Sequence, residues 1–337
     1  MYNIIDCGNK LLIKILKIMN KPLVSITVPV YNAKKFLEHT LESLANQTLT
    51  NIEILLVDDG STDGSGVICD RMAQLDSRFK VFHKENGGSA SARQVGLDNS
   101  SGLYYTVCDS DDWVESEMYE ELYNKALAED ADIVLSDFYS NYSNGEQKIS
   151  KPYKFVNQEQ YLEDLMQGKA SGITCSKLIR TDVFKKYDVN YVPGINLGED
   201  GMLLYKLLLH PLKIVQLNKA FYHYRRISGS SSYTNSINMK TFKQAEYVSE
   251  WRRKTFNAAK YDRINLQNVI GLVFIAIRTS DMDIEYFKSN VINQVHINDI
   301  LKKRIFTFKS LLCIIAKIFG YKSAKQLYNI SYRYLYR

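Results

Sequence analysis

Leu103-Tyr104-Tyr105-Thr106-Val107-Cys108-Asp109-Ser110-Asp111-Asp112 reads as a buried strand that ends in three carboxylates. A short apolar run that stops at charge has the length of a strand, not of a helix. Carboxylates crowded at a strand end repel one another and are costly to bury unpaired. A divalent cation relieves that repulsion. An all-oxygen ligand set points to Mg2+ or Mn2+, commonly shared with substrate phosphates. The alternative is a solvated acidic turn that caps a helix starting near Ser116.

Outward from this stretch, strand and helix patterns alternate through the first 137 residues. Leu23–Val28, Ile52–Val57, Lys80–His83, Leu103–Cys108 and Ile133–Leu135 read as strands. Lys34–Asn46, Ser65–Leu75, Ser89–Leu97 and Ser116–Glu129 read as helices. Phe36, Leu37, Leu41 and Leu44 share one face of the first helix, and Met118, Leu122, Ala126 and Leu127 face the core from the fourth. Such alternation with short links predicts parallel strands joined by right-handed crossovers, with ligands at the carboxyl ends of the strands. Two acidic groups fall there, Asp58-Asp59 and Asp109 to Asp112. Phe138 to Lys154 reads as a hairpin or surface loop around the turn signal Asn144-Gly145. Lys213–Leu217 and Ala220–Tyr224 read as two more strands, and the pattern after about Ser236 is helical and basic.

Composition bounds the function. The chain has 337 residues, with 45% hydrophobic and 24% charged, as in a globular protein. Its formal charge of +6 is too small to argue for nucleic acid as a partner. The five cysteines are scattered without a C-x-x-C pair, which argues for reduced thiols. No apolar run reaches the length of a membrane span, and the lysine-interrupted amino terminus has no signal-peptide cleavage pattern.

Three further stretches carry candidate chemistry. Asp58-Asp59-Gly60-Ser61-Thr62-Asp63-Gly64-Ser65 ends a strand and opens a helix. Ser61 or Asp63 suits a helix cap, and the paired aspartates suit hydrogen bonds from a nucleobase N–H or from ribose hydroxyls. Glu85 to Arg93 is a small-residue loop entering a helix, where backbone N–H groups suit an anion. Arg93 reaches either a phosphate or uracil edge, or a neighbouring aspartate. The loop is neither G-x-G-x-x-G nor a Walker loop, which argues against dehydrogenase and ATPase readings. Gly198-Glu199-Asp200 precedes an apolar helix and is either a favourable acidic first turn or the home of a general base. His223, among the aromatics of Phe221 to Arg226, is either a satisfied core residue or a contact to a metal or diphosphate. Arg225 or Arg226 would then balance leaving-group charge.

In chain order, the set Val28-Pro29-Val30-Tyr31-Asn32, Asn46-Gln47-Thr48, Val57 to Ser65, Glu85-Asn86-Gly87-Gly88 with Ser91-Ala92-Arg93, Asp109-Ser110-Asp111-Asp112-Trp113 and Gly198-Glu199-Asp200 resembles the family 2 glycosyltransferases. The likeness is to the bacterial non-processive enzymes of surface polysaccharide synthesis and spans roughly residues 21–230. It implies an α/β protein of the GT-A fold: a Rossmann-like, mostly parallel sheet flanked by helices, with a helical basic C-terminal extension. The implied organisation is an extension over 1–20, a transferase domain over 21–235 and a helical region over 236–337. Within the transferase domain, 21–137 is the nucleotide-sugar half and 138–235 the acceptor half.

The resemblance also implies roles. Pro29, Tyr31, Asn32, Asp58, Asp59, Arg93, Asp109 and Ser110 would hold a nucleotide-sugar donor. Asp111 and Asp109, with His223 as a late ligand, would hold Mn2+ or Mg2+. Asp200 would be the catalytic base, oriented by Glu199, for inverting transfer to a glycan or lipid-linked acceptor. Gln94 departs from the asparagine that many members carry after the arginine. The Gln-x-x-Arg-Trp motif of the processive synthases is missing from the sequence. A sugar nucleotidylyltransferase is the alternative, but Pro29-Val30-Tyr31-Asn32 is not the Gly-rich triphosphate loop it needs. A second is a non-catalytic nucleotide-sugar-binding protein of the same fold, which the intact acidic set argues against.

After Asp299 the chain has no acidic residue, yet it carries nine lysines and arginines interleaved with apolar runs. A basic amphipathic segment of this kind lies at an anionic membrane surface, or else packs on the domain as a terminal helix. The first reading makes the protein cytoplasmic and peripheral on the inner face of the membrane.

Overall fold

A computed structural model describes residues 21–149, 153–226 and 237–335, with side chains as far as Ser331. The extension over 1–20, and Arg333 and Arg337 of the basic tail, lie outside the residues so described. Contacts divide the chain into two compact units. The first comprises the chain up to Gln158 with Gly172–Gly194 and Leu203–Ile227. The second comprises Glu159–Ser171, Ile195–Met202 and the chain from Ser228 onward.

The first unit is built on one sheet. β1 (Val24–Val30), α1 (Lys34–Ala45), β2 (Ile52–Asp58), α2 (Ser65–Leu75), β3 (Phe79–His83), α3 (Ser89–Asp98) and β4 (Tyr104–Val107) follow the alternation read from the sequence. β5 (Trp113–Val114), α4 (Met118–Glu129), β6 (Ile133–Tyr142) and β7 (Gln147–Ile149) come next. The chain continues through α5 (Gln158–Met166), β8 (Lys177–Arg180), α6 (Thr181–Lys186), α7 (Glu199–Leu207) and β9 (Ile214–Arg226). The strand order is β3-β2-β1-β4-β8-β6-β9-β5, with β7 added beside β6.

β1 to β4 pair in parallel, as their crossovers require. Beyond β4 the sheet is mixed: β8 runs antiparallel to β4 and to β6, and β5 antiparallel to β9. Every residue of β2 is buried, and β1 is buried but for Pro29, as expected of strands covered on both faces. α3 lies close on β1 at Gly96, where a Cβ would come within 2.1 Å of the Thr27 hydroxyl oxygen.

Three expectations need correction. The two strands read over Lys213–Leu217 and Ala220–Tyr224 are one strand, β9. Asn218 and Lys219 form the irregularity, where the register against β6 shifts between Ser136 and Phe138, so the turn-like residues bulge without breaking the strand. The hairpin expected after Phe138 is present, but β6 extends to Tyr142 before it turns into β7. Leu127 is exposed; the inner face of α4 is Met118, Tyr119, Leu122 and Ala126.

The second unit is helical at its C-terminal end. α8 (Met239–Thr255), α9 (Asp262–Arg278), α10 (Ile297–Lys302), α11 (Phe308–Phe319) and α12 (Tyr321–Leu335) follow in order. Their core gathers Phe242, Val273, Ile277, Phe287, Leu312 and Ala324. Reciprocal side-chain caps open α8 at Asn238 and α11 at Thr307. Among the described residues, no helix is long and apolar enough to cross a membrane.

Candidate active site

All the donor-side and metal candidates lie in the first unit, at the carboxyl ends of β1, β2 and β4, on β9 or, for Arg93, on α3. Asn32 follows β1 with φ +48°, a left-handed conformation that asparagine tolerates. Its backbone N–H donates to the Ser61 hydroxyl, and its side-chain oxygen accepts from Thr62 N at 2.8 Å. Asn32 therefore fastens the loop after β2 to the loop after β1. Tyr31, beside it, is exposed with its ring available, and Pro29 is half-buried in β1.

Asp58 and Asp59 are both buried and both engaged by the protein. Asp58 accepts from Ser61 N at 3.0 Å and from His83 Nδ1 at 2.9 Å. Gly66 leaves room for that carboxylate; a Cβ there would meet Asp58 Oδ2 at 2.8 Å. Asp59 accepts from Gly87 N at 2.9 Å and Gly88 N at 2.7 Å, and it pairs with Lys84 Nζ. The backbone N–H groups read as an anion cradle are thus turned onto Asp59. His83 Nε2 also reaches Asp70 at 2.9 Å. Hydrogen bonds to Asp70 and Asp58, partly opposed by burial, raise its pKa.

The end of β4 is organised differently. Asp109, partly exposed, accepts from the buried Arg93 guanidinium at 2.7 Å. Of the two readings of Arg93, the structure shows the pairing with a neighbouring aspartate. The Cys175 thiol lies 3.6 Å from the other Asp109 oxygen. Asp112 is buried and anchors the turn to β9: the Tyr222 hydroxyl donates to it at 2.6 Å and Arg225 N at 2.7 Å. The same Tyr222 oxygen accepts from Asp109 N at 3.2 Å. From α1, the Thr40 hydroxyl approaches the carbonyl oxygens of Asp112 at 2.6 Å and Ser110 at 3.0 Å. Gln47, in the Asn46-Gln47-Thr48 stretch, donates to Glu115 O at 2.8 Å and holds the segment just after the turn.

Crowding shows in the acidities. Burial, then the charge of Asp109, pushes the Asp111 carboxyl up to about 6, against a smaller pull from Arg225. Burial and the charges of Asp111 and Asp109 push Asp112 well above the ordinary carboxylate range. Burial is the larger cause in both, and the neighbouring carboxylates add to it.

His223 stands apart from these carboxylates. Its Nδ1 accepts from the amides of Gln147 at 3.1 Å and Asn141 at 3.3 Å, which leaves Nε2–H to donate to Glu115 at 2.8 Å. The ring is stacked between Trp113 and Tyr139. Both ring nitrogens are engaged by protein partners, the geometry of the satisfied-core reading. The Arg225 guanidinium lies over Trp113, 4.6 Å from the ring centroid, and its Nε donates to Asp111 O at 2.7 Å.

Glu199 and Asp200 belong to the second unit, in the first turn of α7. Gly198 precedes them with φ +85°, a left-handed turn that suits glycine. Both acids are half-buried.

Spacing gave no sign of Tyr222, Cys175 or Lys84 as partners in this network. Tyr222 and Cys175 come from β9 and the segment before β8, far along the chain. Only the fold brings them to β4.

A fold and an acidic strand end of this kind define a class, and comparison with known proteins gives the family. The chain matches glycosyl transferase family 2 over residues 25–188. It is 37% identical over 221 residues to glycosyltransferase GlyG of Streptococcus pneumoniae serotype 4, covering 62% of this chain and 72% of GlyG. The chain belongs to glycosyl transferase family 2. It is likewise 37% identical over 222 residues to glycosyltransferase GlyA of the same organism, covering 62% of this chain but only 31% of GlyA. In fold it is similar to TarS 1-349 of S. aureus, solved in complex with UDP-GlcNAc, with TM-score 0.59, 19% identity and 93% of each chain covered. That likeness agrees with the GT-A fold expected from the motifs.

Proposed function

We propose that this chain is an inverting glycosyltransferase of bacterial surface-polysaccharide synthesis. It takes a sugar from a nucleotide-diphosphate sugar, a UDP-sugar first, and places it on a hydroxyl of a glycan or lipid-linked acceptor. The observation that carries the reading is the acidic end of β4, where Arg93 pairs with Asp109 and Tyr222 and Arg225 N hold Asp112, while the Asp111 carboxyl, buried beside Asp109, is pushed up to about 6. Among the described residues, no group of three or more His, Cys, Asp or Glu side chains converges to hold a metal by itself. Two carboxylates that lack a full cage fit Mg2+ or Mn2+, which complete their shells with water and phosphate oxygens. Asp109 and Asp111 would hold that ion. When bound, it supplies charge neutralisation for the leaving diphosphate.

The chain's own residues do the rest. Arg93 pairs with Asp109 and fixes its direction. Asp112, Tyr222 and Thr40 hold the turn so that Asp111 cannot swing away from Asp109. Tyr31, exposed beside the fastened loops of Asn32 and Asp59, offers its ring to a nucleobase. Asp200 would accept the proton of the acceptor hydroxyl as it attacks the anomeric carbon, with Glu199 orienting it; inversion follows from a single displacement. Replacing Asp200 with Asn tests this assignment. Turnover should fall at least about a hundredfold with donor affinity nearly unchanged, as expected on loss of a general base. Near-normal turnover places the base elsewhere, and a collapse in donor affinity assigns Asp200 to the nucleotide site.

For the cell, the reading is a cytoplasmic protein resting on the inner face of the membrane. α11 supports it by having two apolar sides. Leu312, Cys313 and Ala316 are buried in the helical core, while Phe306, Leu311, Ile318 and Phe319 are exposed around it among lysines. Because the helix is part of the core, truncation would unfold the region. Phe306→Ser with Phe319→Ser is the sharper variant: it should lose co-sedimentation with anionic vesicles, whereas retained binding contradicts the membrane reading.

A further inference from the structure

A cavity of about 510 Å3 adjoins the acidic turn on the side of Arg225. Lys35, Trp113, Asn141, Tyr142, Glu146 and Arg225 line it, together with the hairpin turn. None of the donor candidates does. Its charge is predominantly positive. Lys35, Arg225 and the neighbouring Lys148 face a single carboxylate, Glu146, which is itself paired with Lys148 at 2.8 Å.

The cation at the inner end is fixed in advance. Tyr139, His223 and Trp113 stack in sequence, and Arg225 lies over the outer face of Trp113. Phe36 supports the same guanidinium at 4.9 Å. Nε is held by Asp111 O at 2.7 Å, and one terminal nitrogen lies 3.4 Å from His39 Nδ1. A guanidinium has five N–H donors, so further donors are left for the cavity. Such a clamped arginine binds an oxyanion without first losing side-chain freedom. Lys35, at the exposed start of α1, supplies a second cation. Asn141, Ser143 and the Gly145 backbone add neutral polar groups of the kind that meet sugar hydroxyls.

We infer that this cavity is an acceptor subsite for a phosphate-bearing glycan or polyol, with the phosphate between Arg225 and Lys35. The inference rests on the glycosyltransferase reading and adds the charge class of the acceptor. Phosphate can reach the protein from two sources, the acceptor or the donor's diphosphate, and the test separates them. The contact between Arg225 and Asp111 O explains why the subsite serves the reaction: the cation that holds the acceptor also fixes the backbone of the residue whose carboxylate is assigned to the donor side.

The sequence has two tryptophans, so a Trp251→Phe background leaves Trp113 as the reporter. Titrating sn-glycerol 3-phosphate into that protein should change Trp113 emission saturably. Lys35→Glu in the same background should weaken the response at least about fivefold, since a charge-assisted contact becomes a repulsion. Saturating UDP with Mn2+ should leave the glycerol phosphate response in place. Displacement by UDP would mean that the anion occupies the donor's diphosphate position, and it would overturn the inference. So would equal affinity in Lys35→Glu, or no response up to about 50 mM, beyond which binding has no useful strength. A saturable, Lys35-dependent response in a protein that hydrolyses no nucleotide sugar would support the subsite while breaking the glycosyltransferase reading.

Discussion

The strand ends of β2 and β4 look alike in sequence and behave differently in the fold. At β2, Asp58 and Asp59 are enclosed by donors: Ser61 N, His83, Gly87 N, Gly88 N and Lys84. At β4, Arg93 serves Asp109, Tyr222 and Arg225 N serve Asp112, and Asp111 is left with a carboxyl pushed up to about 6. The first pair is engaged by the loops around it. The second is where the proposed function seats a cation.

The largest effect expected from this contrast is on activity at β4. Asp111→Ala should lower transfer at least about a thousandfold and weaken nucleotide-diphosphate binding in Mn2+, because the leaving-group charge loses its counter-ion. The fold should tolerate the change, since removing one of three crowded carboxylates relieves repulsion. Full activity in this variant, or in excess chelator, would break the contrast.

At β2 the same kind of substitution should act on stability. Asp59→Ala leaves the buried Gly88 N–H, the part-buried Gly87 N–H and Lys84 without this acceptor, and a loss of about 2 kcal/mol in denaturant unfolding is expected. If Asp59→Ala is as stable as the wild type but fails to bind nucleotide, Asp59 belongs to the donor and not to the loop.

The smallest effect is a pH dependence at β2. The folded pKa of His83 is raised by Asp70 and Asp58. Its contribution is therefore fully present below the unfolded value of about 6.5 and is lost as pH rises through the folded value. The ring is half exposed, so screening keeps the contribution under about 1 kcal/mol. His83→Gln should flatten the fall in thermal stability between pH 6 and 8 by that amount; an unchanged slope would show that the Asp58 contact does not depend on the imidazolium.

Much of this architecture was legible in residue patterns. Ser65–Leu75 begins and ends where its periodicity says, and the run from β1 to β4 was readable because each strand is apolar and each crossover short. The sheet beyond β4 was not. β8 and β5 are short and antiparallel, and β9 carries Asn218-Lys219 in its middle, which local propensity reads as a turn. In the site, the motifs located the carboxylates but not their partners. Arg93 had two equally good partners in sequence, and only the approach of α3 to the end of β4 selects Asp109. His223 looked available because its two amide partners sit on β6 and β7, more than 70 residues away in the chain.

The central claim is that Asp111 lacks a counter-charge which a divalent cation with nucleotide diphosphate supplies. Carbon-13 NMR of the aspartate carboxyls, with Asp111 assigned by its loss in Asp111→Asn, tests it directly. In the free protein the Asp111 carboxyl should titrate with a midpoint of about 6. Mg2+ with a UDP-sugar should move that midpoint below about 5, because cation and proton compete for one carboxylate. A free-protein midpoint at the ordinary value of about 4, or a midpoint that Mg2+ and nucleotide leave unmoved, would contradict the account.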